Sequence, residues 1–475
     1  MAPPAGDKAK FTSGSTMRHV VVMTMTGSIG LVAIFAVDAL NLFYISLLGQ
    51  AELAAAIGYA GTLMFFTISA AIGLTIATGA MVSRALGAGN RAEAARRGGA
   101  AMLFMAVVTT VISVSAWLLI PQLLGLIGAQ GETKALADSF LRIVFPSIPV
   151  MALGMCTTGI LRGVGDARRA MYVTLAGGAA AAVLDPLLIF GLDLGLQGAA
   201  ISTVLSRIVL LAVGLHGAVV VHKLIARPDI AVLREAMRPF FNIGGPAVMT
   251  QLATPVGNAY VTAQIASFGD GAVAGWAIIG RLIPVAFGVI FSLSGAVGPI
   301  LGQNYGAKLY HRLFETMRDA LIFTTIYVLV IWGLLALSSG LVADVFRAEG
   351  EARELVVFFC LFAAASFLFN GALFVANAAF NNLGFALYST VLNWGRSTLG
   401  VIPFVWLGAQ WYGAIGVIAG WALGAVVFGV AAVFACFRVI ASIEQRDRRD
   451  HDDNLPSPPP TAQSPFSTGK AATLG

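Results

Sequence analysis

Long apolar stretches alternate with short polar gaps along most of the chain. A helix needs roughly 20 apolar residues to cross the hydrocarbon core of a bilayer. Twelve stretches meet that length: 19–46, 53–82, 99–121, 138–161, 170–192, 197–221, 241–267, 272–301, 317–343, 355–380, 384–408 and 412–437. Runs this long exclude a transmembrane barrel, so the pattern predicts an all-α polytopic membrane protein. The segment RPDIAVLREAMRPF, 227–240, is amphipathic. It is expected to lie along the membrane surface and join two halves. After Ser442 the chain turns charged (EQRDRRDHDDN) and then Pro-rich, which is the composition of a disordered tail.

Charge sets the orientation. The gaps 83–98, 162–169, 222–240 and 302–316 hold Arg84, Arg91, Arg96, Arg97, Arg162, Arg168, Arg169, Lys223, Arg227, Arg234, Arg238, Lys308 and Arg312. The alternate gaps hold mainly Lys134, Arg347 and Arg353. The first set is therefore expected in the cytoplasm, and an even number of spans returns both termini there. Composition agrees: 58% of residues are hydrophobic and 11% charged, against about 25% charged in soluble domains. A net charge of +6 is compatible with nucleic acid, but topology already explains where the basic residues fall, so nucleic acid is rejected as a partner. The apolar run after Arg18 is too long for a signal peptide and reads as a retained first span. Cys156, Cys360 and Cys436 are far apart and make no metal spacing. No GxxxxGK[ST] or HExxH motif occurs, which argues against a nucleotide-driven pump and a zinc enzyme.

The chain repeats itself. GAGNRAEAARR begins at Gly87 and GAKLYHRL at Gly306, an offset of 219 (306 − 87). RGVGDARRAMY carries Gly165 and FNNLGFALY carries Gly384, and the offset is the same (384 − 165). Leu53-Ala54 and Val273-Ala274 agree at 220 (273 − 53). Six spans are duplicated in one orientation, so the halves should be related by an axis along the membrane normal. The expected plan is a cytoplasmic N-terminal segment (1–16), a first six-helix bundle (17–221), a linker helix (222–240), a second bundle (241–440) and a tail (441–475).

Few ionisable residues lie within the spans. Asp38 and Asp185 are the clear carboxylates, and Arg207, Arg281 and Arg396 the clear cations. A carboxylate in the membrane costs at least about 2.5–3.5 kcal/mol unless it is protonated, holds a cation or faces water. An ion-coupled carrier uses all three conditions in turn. Asn41 lies one turn after Asp38, and Asn258, at the offset of the Leu53 pair (258 − 38), is its neutral counterpart in the second half. Pro186 follows Asp185 and frees the carbonyl of Ala182 as a further polar ligand. The arginines read mainly as packing glue, with Arg281 also a substrate candidate. Gly416, Gly420 and Gly424 form a close-packing face. Broad, soft substrate contacts are expected from Tyr44, Met249, Tyr260, Trp276, Phe287 and Phe291, with Gln251, Asn258 and Gln264 as polar neighbours.

Taken in order, VDALNLFYISLLGQAELAAAIG, RALGAGNRAEAARR, GILRGVGDARRAMYVTL, VLDPLLIFGLDLGLQGAAISTVLSR and GQNYGAKLYHR resemble the multidrug and toxic compound extrusion (MATE) family. The likeness covers about residues 17–440. It implies two pseudo-symmetric six-helix bundles forming a V around a central cavity. It also implies cation-coupled export of small organic cations or amphipathic drugs from a prokaryotic inner membrane, by a monomer. Asp38 matches the family's first-span aspartate. Asp185 and Thr203 match the fifth-span aspartate and sixth-span threonine of the archaeal-like branch, which includes bacterial DNA-damage-inducible members. A sodium site would then comprise Asp38, Asp185 and Thr203. That branch carries Asn four residues before the fifth-span aspartate, where Ala181 stands here, and this tilts the expected coupling ion from Na⁺ to H⁺. Acids found in spans seven and ten of other members are missing, as is a first-span proline; only Thr24, Thr26 and Gly27 mark that region. No cofactor beyond the coupling ion is expected. The alternative is a flippase for a lipid-linked saccharide on a related fold. It would want a cationic cavity, for which Arg207, Arg281 and Arg396 speak and against which Asp38 and Asp185 speak.

Overall fold

The computed structural model describes residues 9–46 and 51–453, except for the side chains of a few residues within the helices. The segments 1–8, 47–50 and 454–475 lie outside the described residues, and so do parts of the expected N-terminal segment and tail. Every regular element among the described residues is helical.

The first half comprises α1 (Thr16–Ser46), α2 (Ala51–Gly87), α3 (Arg91–Leu118), a short α4 (Ile120–Leu126), α5 (Gly131–Val144), α6 (Ile148–Val164), α7 (Ala167–Pro186) and α8 (Gly195–Leu215). The second comprises α9 (Ile230–Ala266), α10 (Asp270–Gly306), α11 (Tyr310–Leu337), α12 (Ser339–Val345), α13 (Gly350–Leu361), α14 (Phe367–Leu383), α15 (Ala386–Ser397) and α16 (Ile402–Asp453). Ten stretches are long and apolar enough to cross a membrane. The last of them, Ala386–Asp447, contains two crossings, and α9 supplies the remaining one.

The duplication is written in the backbone. Both ends of α2, α3 and α4 recur in α10, α11 and α12 at the offset that the loop glycines set. The larger offset read from Leu53 does not hold there. At the glycine offset buried Leu53 meets buried Ala272, whereas Val273 is exposed. The same offset sets Gly257, which packs against Ser397, opposite Asp38 in place of the expected Asn258.

Several spans depart from straight helices. Spans four and ten bend at short 3₁₀ turns, Phe145–Ser147 and Ala363–Ser366, and Pro146 explains the first because it removes a backbone donor. Span eleven is interrupted between α15 and α16, at residues 398–401. The helical run of α16 reverses at Tyr412 and Gly413, where Gly413 takes φ 58°. Only a residue without a Cβ adopts this conformation readily. Beyond the reversal Gly416 lies on Gly408, Gly420 on Phe404 and Gly424 on Gly400. The close-packing glycines thus zip the last two spans together antiparallel.

Two expected segments differ. The linker is not a separate surface helix, because residues 223–229 are non-helical and α9 then runs unbroken from Ile230 into span seven. Asp229 caps it by accepting a hydrogen bond from the Val232 amide at 2.8 Å, which supplies a helix start ahead of Pro239. The tail is helical as far as Asp453. Lys308 Nζ anchors this extension at Asp447 Oδ1, 2.9 Å away.

The halves meet toward one end, the end that carries Arg84, Arg91 and Arg96, called the basic end below. There α2 and α10 approach so closely that a Cβ on Gly87 would strike the Gln303 carbonyl, and one on Gly306 the Arg84 carbonyl. Arg84 donates to the carbonyls of Asn382 (2.7 Å) and Asn381 (3.2 Å) across the seam. Farther along, Gly73 packs on Val248, Gly27 on Ser292 and Gly288 on Val32. Beyond these contacts the two bundles diverge: Gly58 and Gly61 of α2 and Gly280 of α10 have open space beside them. The result is a V closed at its basic end.

Candidate functional site

The first half holds a buried carboxylate near the far end of α7. Asp185 is 1% exposed. Pro186 follows it, and the helix continues as a wide π turn, Leu187–Gly191. A proline cannot continue the ordinary ladder, and a π turn is a frequent mark of functional sites. Asn41 Nδ2 of α1 donates to Asp185 Oδ2 at 3.2 Å. Asp185 Oδ1 has no partner among the described residues. Ser202 of α8 faces the carboxylate closely enough to interact with it, although its buried Oγ completes no well-formed hydrogen bond among the described residues. The structure therefore brings together Asn41, Asp185 and Ser202. Thr203, expected as a ligand, instead donates its hydroxyl to the Ala199 carbonyl at 2.9 Å. It is one residue, about 100° of helix, from the position that faces Asp185. Asp38 sits in α1 three residues before Asn41, and its side chain lies outside the described residues.

Two unpaired buried oxygens, Asp185 Oδ1 and the neighbouring Ser202 Oγ, suit a proton: an O–H on Asp185 has an acceptor in Ser202. They are few for a hard metal cation, which gathers a shell of several oxygens. The described residues contain no group of three or more His, Cys, Asp or Glu able to hold a metal.

The expected substrate contacts divide. Phe287 is a correction. It is fully buried and stacks on Phe367 with ring centroids 4.0 Å apart, inside the second bundle. Pro284 and the non-helical backbone at Phe287 turn its ring inward. Trp276 stays within the second bundle, with Nε1 donating to Thr262 Oγ1 at 3.0 Å and its ring edge-on to Trp421. Tyr260 and Phe291 pack against the same core. Tyr44 packs within the first bundle, edge-on to Phe190. Met249, Asn258 and Arg281 are exposed, and Gln251 and Gln264 are partly so.

Arg207 is packing glue, buried and donating to Ser147 Oγ (2.8 Å) and the Val144 carbonyl (3.2 Å), where span four bends. Arg396 does the same in the second bundle, reaching Thr254 Oγ1 (2.9 Å) and Asn370 Oδ1 (3.4 Å) beside the break in span eleven. An asparagine lattice continues from there, with Asn393 Nδ2 donating to Asn377 Oδ1 at 3.0 Å.

The basic-end closure is a polar site that the apolar pattern hides. Residues 10–12 form a 3₁₀ turn before α1, and Phe11 is 1% exposed. Lys10 Nζ donates to the Gly165 carbonyl of the first half at 2.7 Å. The Phe11 amide donates to Gln303 Oε1 of the second at 2.8 Å, and its carbonyl accepts from Arg312 at 3.0 Å. Gln303 Nε2 returns to the Gly163 carbonyl at 2.7 Å. Thr16 donates to Asp319, a buried acid of α11 that also pairs with Arg318. These polar contacts staple the halves together. The sequence signal was there, in Gln303 and Asn304 at the end of an apolar run. Nearby, Asp166 caps α7 and meets His222 (2.8 Å) and Arg169 (2.6 Å). Burial pushes its carboxyl upward, but the hydrogen bonds from His222 and Arg169 prevail and hold it below the usual carboxylate value.

Comparisons with known proteins agree with this architecture. The MatE family model matches residues 23–187 and 246–407, one match in each half. The FAD transporter of Shewanella oneidensis is 27% identical over 445 residues, covering 92% of this chain and 98% of that protein. The multidrug export protein MepA of Staphylococcus aureus is 26% identical over 422 residues, covering 86% and 89%. The crystal structure of a mutant of the Vibrio cholerae MATE transporter VcmN superposes with a TM-score of 0.86 at 26% identity, covering 90% of this chain and 97% of that one.

Proposed function

We propose, from the premise that the chain belongs to the MatE family of multidrug and toxic compound efflux transporters, that it is a proton-coupled antiporter that works by alternating access. It is a multi-pass membrane transporter, not an enzyme. The observation that carries the coupling is Asp185, buried in the first bundle with one oxygen bound by Asn41 and the other unmatched beside Ser202. Positive-inside topology puts the basic end in the cytoplasm, so the V opens outward.

A proton entering from outside neutralises Asp185, and the new O–H donates to Ser202. The change in hydrogen bonding shifts α7 and α8 against α1, and Asp38 in α1 shares the titration. Cargo leaves the open cleft, the staple at the basic end parts, and the bundles rock inward. One charge falling through 100 mV supplies about 2.3 kcal/mol. Coupling requires only that proton and cargo favour different states.

The test uses purified protein in liposomes with ethidium inside. Proton-gradient-driven efflux that Asp185→Asn abolishes supports the reading. Efflux driven by a Na⁺ gradient alone overturns proton coupling, and efflux under neither gradient overturns the antiporter.

A further inference from the structure

Two arginines on the seam between the bundles have no protein partner among the described residues, and they lie on one line. The buried face of the outer part of α10 is Ala272, Gly275, Ile279, Leu282 and Ala286, and Gly275 packs on Ala352 and Leu355 of α13. The opposite face looks across the seam: Gly288 meets Val32, Ser292 meets Gly27 and donates to the Thr24 carbonyl at 2.8 Å. Arg281 lies seven residues, about two turns, outward of Gly288, next to Gly280, which has open space beside it. It is exposed and makes no hydrogen bond or ion pair with the described residues.

Gly295 continues the same face toward the basic end. There the Arg162 guanidinium crosses from the first bundle, so close that a Cβ on Gly295 would fall 2.5 Å from Nη1. Arg162 is half-buried in a small cleft lined otherwise by Met23, Gly27, Ala167, Met171, Ser292 and Ala296. None of these is acidic, and no hydrogen bond joins Arg162 to the Ser292 hydroxyl, which donates to the Thr24 carbonyl. Arg162 is a half-buried cation at an apolar seam with no counter-charge among the described residues, and its guanidinium is accessible to an anion.

We propose that the seam carries the anionic group of the cargo from Arg162 at the basic end to Arg281 at the mouth, so that this transporter exports planar aromatic carboxylates or phosphate esters. This rests on the exporter reading above. Arg162 becomes reachable from the basic end when the staple parts, and unlike Lys10, Arg84 and Arg312 there it is not committed to a protein acceptor. Along α10, from Gly295 to Arg281, the two guanidiniums are separated by about four turns of helix, or roughly 21 Å. One small anion cannot touch both, so they act in succession. A guanidinium presents a planar fork to a carboxylate or phosphate and stacks on aromatic rings, and both match such a cargo.

Carboxyfluorescein and ethidium, an aromatic anion and an aromatic cation, are the probes. Each is loaded into proteoliposomes of the intact protein, and efflux is followed under one pH gradient. Wild type should export carboxyfluorescein. Arg281→Gln should lower that rate at least tenfold and leave ethidium efflux within twofold, while Arg281→Lys should recover part of it. Arg162→Gln should raise the apparent KM for carboxyfluorescein alone. Anisotropy titration of carboxyfluorescein on detergent-purified protein separates binding from turnover. Ethidium efflux without carboxyfluorescein efflux or binding overturns the proposal and leaves the exporter standing. Equal loss of both dyes in Arg281→Gln and Arg281→Lys also overturns it. Movement of neither dye in wild type overturns the exporter reading itself.

Discussion

The two halves share a backbone and differ in how they are filled. One large core, from Val261 to Ile443 with Phe287, Phe359, Phe367 and Trp421 packed together, fills the second half and takes in Phe11, Val20, Met23 and Ala167 across the seam. The remaining apolar side chains of the first half separate into several clusters: one around Phe140 and Phe145, another around Met81 and Met105 that also takes in Ala236, Phe240, Ile243 and Ala386, and others nearer the basic end. The pair Phe287 and Phe367 stacks in the second half; the matching positions of the first half hold Ile68 and Ile148. Buried charge of both signs occurs in each half, with Arg207 in the first and Asp319 in the second, but the settings differ. The second half buries Arg396 within an asparagine lattice, and the first buries Asp185 with an oxygen to spare. A close-packed interior transmits displacement as a unit, whereas a divided one has internal boundaries at which helices slide. On the proton-coupled reading proposed above, duplication produced one half with a large aromatic core and another that carries the titrating carboxylate.

Four experiments break or sharpen this contrast. The largest effect is expected for Phe287→Ala, which should cost about 3–5 kcal/mol, read as melting temperature in detergent; Ile68→Ala in the looser half should cost less. Comparable costs would erase the difference in packing. Asp185→Asn should lower gradient-driven efflux at least a hundredfold while cargo exchange without a gradient persists, whereas Asn377→Ala in the second half should leave coupling stoichiometry unchanged. Arg396→Ala should destabilise by about 2 kcal/mol, the scale of hydrogen bonds to a charged group, with transport falling only as folded protein falls. The smallest effect concerns Asp166. Its folded value lies below the unfolded one, so its contribution is present above about pH 4 and is lost as pH falls through the folded value. The melting difference between wild type and Asp166→Asn should shrink below about pH 4.

Much of this was legible in the chain itself. Apolar run lengths located the crossings, and two pairs of glycine-bearing loops at one common offset disclosed the duplication, because loop glycines mark backbone conformations rather than packing. Asp185 stood out because acids are rare inside spans. Ser202 did not, since serine is common in such helices and only three-dimensional placement sets it against Asp185 in place of Thr203. Phe287 misled for the opposite reason: an aromatic residue on a span reads alike whether it faces a cleft or a core, and the kink after Pro284 decides. The linker and tail misled because amphipathic or charged composition does not reveal whether a helix continues from its neighbour.

The short turn around Phe11 has a consequence for how the molecule is made. Its partners Gln303, Asn304 and Arg312, and the Asp319 that holds Thr16, all belong to the second half of the chain. The Gly165 carbonyl that Lys10 holds is made earlier, so the turn leaves the ribosome long before its binding site is complete and waits until most of α10 and α11 has been synthesised. Only then does an early-translated peptide become the keystone of a late one, and a truncated product missing the second half would expose Phe11 to recognition by proteases as unfinished.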